Sequence, residues 1–393
     1  MAVPEVPAEL AARAEVLREL SRDGGPLSPD APGASCRHPE WFSQEPGEPL
    51  DPTSARSVLH ERLIARFYEE HGRGERGRRA VMLAGPPGAG KGVVRSQLLA
   101  EEAQRFTVVD PDEFKVLLIR AAVEDGSIES MMPPEAAAQG VRLAPMELAA
   151  LVHEESSYLA HRFRELAIAR GENVVIDGVM ANEGKALGLA SRLAGAGYDI
   201  RVVDVEVPAE LSRERILQRW VEQTVSGGLG GRWVPSEYRE SVFDCPDGRC
   251  SRSDIAARTV AERNDAVSSY ERYFTTVQEA RQPGCAPYLT DRLRRDSNGQ
   301  LRAEPLPAVS AQPLALSARP PVQQVPSQAG ASRPSVGRAD TDTARGPARE
   351  RGRGADGRSA TRRYLGGEIE RRLGQRPNRP EDGGAPYRAR GPR

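Results

Sequence analysis

A glycine-rich loop carries the clearest chemistry in this chain. The segment GPPGAGKG follows the apolar run RAVMLA and precedes a helical pattern. Glycines let backbone N–H groups close around phosphate oxygens, and a lysine at this place reaches the β- and γ-phosphates of a nucleotide. We therefore predict a P-loop that binds a nucleotide through Gly85, Pro86, Pro87, Gly88, Ala89, Gly90, Lys91, Gly92 and Val93.

The residue after the lysine departs from the usual motif. A Ser or Thr commonly follows the P-loop lysine and binds Mg²⁺ through its hydroxyl. Here that residue is Gly92, and Val93 has no hydroxyl either. We therefore expect any Mg²⁺ to be held through water, nucleotide oxygens or a carboxylate elsewhere in the chain.

Two carboxylates follow apolar runs that read as strands. Asp112 lies in VVDPDEFK, and Asp177 lies in NVVIDG. A carboxylate at the carboxyl end of a strand beside a P-loop could accept the proton of an attacking hydroxyl, the role predicted for Asp112. The alternative is that Asp110 or Asp112 caps the next helix. Asp177 could hold Mg²⁺ through water or orient the acceptor.

Arginines occupy a predicted helix and the glycine-rich segment that follows it. Arg215 and Arg219 lie one turn apart in the helix predicted over residues 209–224, and Arg232 follows SGGLGG. Such a helix and loop could form a lid whose guanidinium groups neutralise a transferring phosphoryl group. The alternative is that these arginines form surface ion pairs with nearby glutamates.

The elements that must position these residues alternate between strands and helices. The runs RAVMLAG, FTVVD, NVVIDG and DIRVVDVEVP are continuously apolar, as strands covered by helices on both faces are. The pattern predicts an α/β fold with a P-loop kinase-like parallel sheet flanked by helices. Its ligands should bind at the carboxyl ends of the strands.

The two ends of the chain differ from this central part. Residues 1–52 read as a disordered N-terminal extension that consists of a helix, predicted over 7–22, and a Pro/Gly-rich linker. Residues 53–305 read as the folded domain. Residues 306–393 contain seventeen arginines, eight acidic residues and much Pro and Gly, which predicts a disordered tail. We expect no part of the chain other than this tail to bind nucleic acid. The alternative is that the tail is simply a solvated extension.

Composition excludes several classes of protein. Four cysteines are too few for a disulfide scaffold in 393 residues, and the C-x4-C pair at Cys245 and Cys250 has no histidines at zinc spacing. The N-terminus lacks the features of a signal peptide, and no 18-residue apolar run occurs. We therefore expect a cytoplasmic protein without a membrane segment.

Over roughly residues 55–300, the sequence resembles the zeta toxin family. The resemblance is carried by the motifs GPPGAGKG, VVDPDEFK, VHEESS and NVVIDG and by the arginines at 219 and 232. The resemblance implies a kinase that uses ATP and Mg²⁺ to phosphorylate the sugar 3′-hydroxyl of UDP-N-acetylglucosamine. Such an enzyme poisons cell-wall synthesis unless an antitoxin blocks it.

Carried over by position, the resemblance gives each matching residue a role. Lys91 binds phosphate, Asp112 is the base, Arg219 and Arg232 clamp the phosphoryl group, and Glu155 and Asp177 contact the substrate. The sequence departs from the family pattern at Gly92, at Asp177, where some relatives have Glu, and at Val179, where a Thr can contact the sugar. The implied partners are a nucleotide-sugar substrate and an antitoxin protein.

Two other functions remain open at the level of sequence. One is a kinase of the same fold acting on another hydroxyl, such as that of an antibiotic, a nucleoside or a polynucleotide end. The other is a non-catalytic, nucleotide-dependent binding protein whose arginine-rich tail binds RNA or a partner. The acidic, amphipathic N-terminal helix is also compatible with shielding of the nucleotide site by the chain itself.

Overall fold

A seven-stranded sheet lies at the centre of the computed structural model, which describes residues 6–43, 48–243 and 251–306. Its strands stand in the order β2-β3-β1-β4-β5-β6-β7. They are β1 (Arg79–Ala84), β2 (Thr107–Val109), β3 (Val174–Asp177), β4 (Asp199–Glu206), β5 (Val267–Phe274), β6 (Tyr288–Arg295) and β7 (Leu301–Ala303).

The first five strands are parallel, and β6 and β7 add an antiparallel edge. The predicted α/β fold with a parallel sheet is therefore confirmed, with an extension of three strands. Strand β5 has the sequence VSSYERYF, whose charged residues hide it from a search for apolar runs. Glu271 is nevertheless buried, because Arg201 and Arg292 neutralise it from the two adjacent strands.

Helices cover both faces of the sheet. They are α1 (Ala8–Leu20), α2 (Ser54–His71), α3 (Lys91–Leu99), α4 (Pro111–Asp125), α5 (Pro134–Ala138), α6 (His153–Arg170), α7 (Glu183–Gly195), α8 (Ala209–Val225), α9 (Ser236–Val242), α10 (Arg252–Arg263) and α11 (Val277–Ala280). The side chains of β1 alternate between the two faces: Met82 packs with the larger core, and Leu83 packs with Val94 of α3. Both faces are thus apolar, which explains the continuous apolar runs of β1, β3 and β4.

Residues 6–43 pack against the rest of the chain, although their composition predicted a loose extension. The predicted helix is present as α1, and its Leu17 is fully buried in the larger core. Leu27, in the segment predicted as a linker, is also fully buried. Successive turns satisfy the backbone of this segment, and Ser35 N donates to Leu151 O at 2.8 Å. Pro and Gly here build turns that follow the protein surface.

The arginine-rich tail after residue 306 lies outside the described residues. The disorder and nucleic-acid binding predicted for it therefore remain predictions. Across the three described ranges, we find no helix with the length and apolar character needed to cross a membrane.

Candidate active site

The glycine-rich loop connects β1 to α3, as the sequence predicts. Gly85 has a φ of 142°, and a Cβ at this position would lie 2.2 Å from Val205 O of β4. Only glycine fits there, because the loop backbone passes directly against the neighbouring strand. The ammonium of Lys91 donates to Gly85 O at 2.7 Å and to Pro86 O at 3.3 Å. The lysine therefore lies over the loop that would hold phosphate.

Helix α8 supports the loop from its other side. Ser212 Oγ donates to Pro87 O at 2.6 Å, and Arg215 Nη1 donates to Gly88 O at 3.2 Å. Gly88 has a φ of 78°, and a Cβ there would lie 3.0 Å from Ser212 O, so a side chain at this position would be strained. The structure thus assigns Arg215 to the support of the P-loop backbone, a role that its spacing from Arg219 did not reveal.

Asp110 and Asp112 lie at the start of α4, just past the end of β2. Asp110 is the N-cap, and its Oδ1 accepts from Asp112 N at 2.8 Å. Asp112 is half-exposed and forms ion pairs with Lys115, at 3.1 Å, and with Arg232. Partial burial would raise the pKa of Asp112, but Arg232 and Lys115 outweigh it and hold the pKa well below its usual range. Asp112 is therefore ionised and accessible.

A second carboxylate, Asp177, ends β3 close to the loop. Arg95 Nη1 donates to Asp177 Oδ2 at 3.0 Å, from one turn beyond Lys91 on α3. Burial raises the pKa of Asp177, and the positive charges of Lys91 and Arg95 partly oppose that shift. Burial, followed by the charges of Asp177 and Asp112, also raises the pKa of Asp110 to about 7. Three aspartates thus interact electrostatically at one sheet edge.

Lys91 interacts with all three aspartates. Its burial lowers its pKa, and the charges of Asp177, Asp112 and Asp110 counter that effect. The loop lysine and the two predicted strand-end carboxylates are therefore brought together, as expected for the carboxyl edge of a parallel sheet.

The arginine clamp, defined here as Arg219 and Arg232, faces this group. Arg232 is mostly buried and pairs with Asp112. Within the described part of the chain, Arg219 Nη2 is buried and has no hydrogen-bond partner. Burial and the charge of Arg232 lower the pKa of Arg219. A buried guanidinium nitrogen without an acceptor is costly unless a ligand supplies one, and phosphate oxygens suit it well.

Glu155 lies apart from this arrangement, and the substrate contact predicted for it needs correction. Its side chain is fully buried in α6. Both of its oxygens accept from Arg56 of α2, at 2.6 and 2.7 Å, and Oε1 also lies 2.7 Å from His60 Nε2. Glu155 therefore joins α2 to α6, and no oxygen faces solvent. The polar motif VHEESS suggests ligand binding when only the sequence is considered. In the structure, the partners of Glu155 are His60 and Arg56, which lie 95 and 99 residues upstream.

Sequence reasoning missed one cation of the site, Arg95, and placed Lys115 just past the candidate base without giving it a role. Arg95 follows Lys91 by four residues, and Lys115 follows Asp112 by three, so both lie on the same helix face as the residue they accompany. That spacing was the available signal. His153 also lies near Lys115, and burial, followed by that charge, lowers its pKa to about 4, so it is neutral at pH 7.

The residues described by the structure include no group of three or more His, Cys, Asp or Glu side chains that could hold a metal ion by themselves. Cys245 and Cys250 lie outside those residues. Gly92 is exposed, and nothing lies within 4 Å of a Cβ built on it.

Comparisons with solved structures found distant neighbours. The structure of AvrRxo1-ORF1 with AvrRxo1-ORF2 and sulphate ions is 19% identical and covers 67% of this chain and 76% of that chain, with a TM-score of 0.43. The same pair with ATP gives 19% identity, the same coverage and a TM-score of 0.44. The PezAT toxin–antitoxin system of the human pathogen Streptococcus pneumoniae gives 13% identity, 61% and 81% coverage, and a TM-score of 0.38.

A comparison with curated proteins found no significant match. The family model described as "Zeta toxin" matches residues 70–273. That range includes the P-loop, both strand-end aspartates, the arginine clamp, strands β1 to β4 and all of β5 but its last residue. Because the match extends over more than half of the 393 residues, this chain belongs to the zeta toxin family.

Proposed function

We propose that this protein is an ATP-dependent phosphotransferase that phosphorylates the sugar 3′-hydroxyl of UDP-N-acetylglucosamine. It would inhibit cell-wall synthesis as the toxin of a toxin–antitoxin system. The observation that supports this most strongly is the buried, unpartnered Arg219 Nη2 beside the Arg232–Asp112 pair, at the edge of the sheet that carries Lys91. These groups are the parts that phosphoryl transfer needs: phosphate ligands, a base and a charge clamp.

In the proposed reaction, the acceptor hydroxyl oxygen attacks the γ-phosphorus of ATP. A new O–P bond forms, the bond from the γ-phosphorus to the β,γ-bridging oxygen breaks, and ADP leaves with that electron pair. The hydroxyl proton passes to Asp112, while Lys91 and the arginine clamp stabilise the negative charge on the phosphate oxygens.

The Arg232–Asp112 ion pair fits this scheme as a resting arrangement. In the structure, the carboxylate of Asp112 pairs with the guanidinium of Arg232, to which a phosphoryl group would bind in the reaction. When Arg232 turns to phosphate, Asp112 loses one of its two cationic partners, and its pKa rises towards the range useful for a base. Binding of the phosphate donor would thus release the base.

The residues also fit Mg²⁺. This ion commonly keeps several waters and uses one or two carboxylates together with nucleotide phosphates, so it needs no complete protein cage. Asp177, which ends β3 close to the loop, would hold the ion through water, with Asp110 near it. When bound, Mg²⁺ would neutralise phosphate charge, and water would take the coordination position that a hydroxyl at residue 92 would otherwise fill.

One observation favours a second acceptor class for the same chemistry. The carboxylate of Glu155 is occupied by Arg56 and His60, and Val179 offers no hydroxyl, so two expected sugar contacts are missing. An acceptor other than the nucleotide sugar, such as a nucleoside or an antibiotic hydroxyl, would not require them.

An acceptor screen with γ-labelled ATP tests the proposal. UDP-N-acetylglucosamine, other UDP-sugars, nucleosides, aminoglycosides and polynucleotide ends are each incubated with the full chain and with Asp112→Asn. We expect label in UDP-N-acetylglucosamine with the parent, and a loss of at least about a hundredfold in the variant. If only another acceptor is labelled, that acceptor replaces UDP-N-acetylglucosamine as the proposed substrate. If Asp112→Asn labels the acceptor as well as the parent does, Asp112 is not the base.

A further inference from the structure

Each arginine of the clamp is followed directly by a buried tryptophan. Trp220 comes after Arg219 on α8, and Trp233 comes after Arg232 in the loop beyond it. Trp220 is fully buried, and 8% of Trp233 is exposed. The two rings pack edge to face, with centroids 5.2 Å apart and planes at 82°. Because each indole neighbours a clamp residue along the backbone, the packing of the two rings constrains the backbone positions of the two arginines.

The indole of Trp220 is anchored through a buried carboxylate. Trp220 Nε1 donates to Glu147 Oε1 at 3.0 Å, and Ala144 N donates to Glu147 Oε2 at 2.7 Å. The charge of Glu147 is neutralised from the N-terminal segment, since Arg13 Nε on α1 donates to Oε1 at 2.8 Å. Removing one partner of such a buried ion pair is costly, so Arg13 helps to hold the Glu147 side chain in place.

The indole of Trp233 is anchored to the same N-terminal segment. Its Nε1 donates to the Oγ of Ser21, the residue that directly follows α1, at 3.0 Å. Both tryptophans are therefore tied to one element, Trp233 directly and Trp220 through Glu147 and Arg13. The loop has little freedom of its own here, because Gly231 lies so close to α8 that a Cβ would be 2.2 Å from Trp220 O.

We propose that Arg13 and Ser21 are positioning residues for phosphoryl transfer, acting through Trp220 and Trp233 on the arginine clamp. The inference rests on the proposed function, because it gives the clamp a γ-phosphoryl group to hold. The N-terminal segment then completes the kinase site. This differs from the alternative in which the segment shields the nucleotide.

The preference for ATP over ADP measures the clamp without requiring a known acceptor, since ADP lacks the γ-phosphoryl group. Dissociation constants for ATP and ADP are determined for the full chain, Ser21→Ala, Trp233→Phe and Arg219→Ala. Ser28→Ala is the matched control, because Ser28 is a buried serine of the same segment whose hydroxyl donates to Asp30 instead.

We expect Ser21→Ala and Trp233→Phe to reduce the ATP-to-ADP preference roughly tenfold, because small displacements of a clamp are costly, and Ser28→Ala to keep it. A purely structural role would change thermal stability but not this ratio. A parental ratio in Ser21→Ala, combined with a lost preference in Arg219→Ala, would overturn the positioning role and leave the proposed function standing. A parental ratio in Arg219→Ala would instead show that Arg219 does not hold the γ-phosphoryl group, which removes the observation that most strongly supports the proposed function.

Discussion

At the scale of single residues, the site is a balance between opposite charges, some of them buried. Lys91 is held among three aspartates, Asp112 is held between two cations, and Arg219 Nη2 lacks an acceptor. Lys91 and Asp112 thus have partners of opposite charge without a ligand, whereas Arg219 Nη2 has no acceptor. A phosphoryl group carrying several oxygens would complete the set, which is why we place the transferring group at the arginine clamp.

The two glycines at the ends of the P-loop should respond differently to substitution. Gly92→Ser should be accommodated, because a Cβ there meets nothing within 4 Å, and its hydroxyl should lower the Mg²⁺ concentration needed for half-maximal phosphotransfer. Gly85→Ala should abolish nucleotide binding, because its Cβ would meet Val205 O at 2.2 Å.

A Mg²⁺ titration of phosphotransfer, with ATP affinity measured in parallel, checks both variants. An unchanged Mg²⁺ requirement in Gly92→Ser would show that the missing hydroxyl does not limit metal binding. Parental ATP affinity in Gly85→Ala would contradict the close packing of the loop against β4.

At the scale of elements, helices placed at the sheet edge determine which residues meet. The N-termini of α3 and α4 carry Lys91 and Asp112, and α8 carries Arg219 together with the supports of the P-loop. The sequence was sufficient to predict α8 over 209–224, within one residue of the observed Ala209–Val225, because its flanking strand and glycine-rich segment are clear. The roles of Glu155 and Glu147 could not be predicted, because their partners are distant in sequence.

The connection between α2 and α6 should make stability depend on pH. Burial alone would raise the pKa of Glu155, but hydrogen bonds from His60 and Arg56 outweigh it and lower the pKa to about 2. A carboxyl with a depressed folded-state pKa stabilises the fold above its ordinary value of 4.5. That contribution, on the order of 3 kcal/mol, is lost as the pH falls from 4.5 towards 2.

Glu155→Gln should therefore lower the free energy of unfolding at pH 7 by about 3 kcal/mol, because it leaves Arg56 buried without its counter-charge. The variant should also show a shallower decline between pH 4.5 and 2. Urea denaturation across that range measures both effects. Parallel pH curves for the parent and the variant would show that Glu155 does not carry this dependence.

At the scale of the whole molecule, the nearly neutral net charge of −1 combines an acidic body with a basic tail. The described residues form part of one compact unit that includes α1, so the N-terminal segment belongs to the body of the kinase-like fold. Local patterns were sufficient to predict the α/β class and the first four strands. The packing of residues 6–43 could not be predicted from the sequence. Apolar residues such as Leu17 and Leu27 are sparse among turn-forming residues there, and their partners in the core become evident only in the folded structure.

The central claim is that this zeta toxin family member transfers the γ-phosphoryl group of ATP to a nucleotide sugar. Mass spectrometry with fragmentation, applied to UDP-N-acetylglucosamine after incubation with the full chain, ATP and Mg²⁺, tests it most directly. We predict a product heavier by one phosphoryl group, located on the sugar 3′-hydroxyl, and no such product with Lys91→Ala. An unmodified nucleotide sugar with the parent protein, or equal product with Lys91→Ala, would contradict the account.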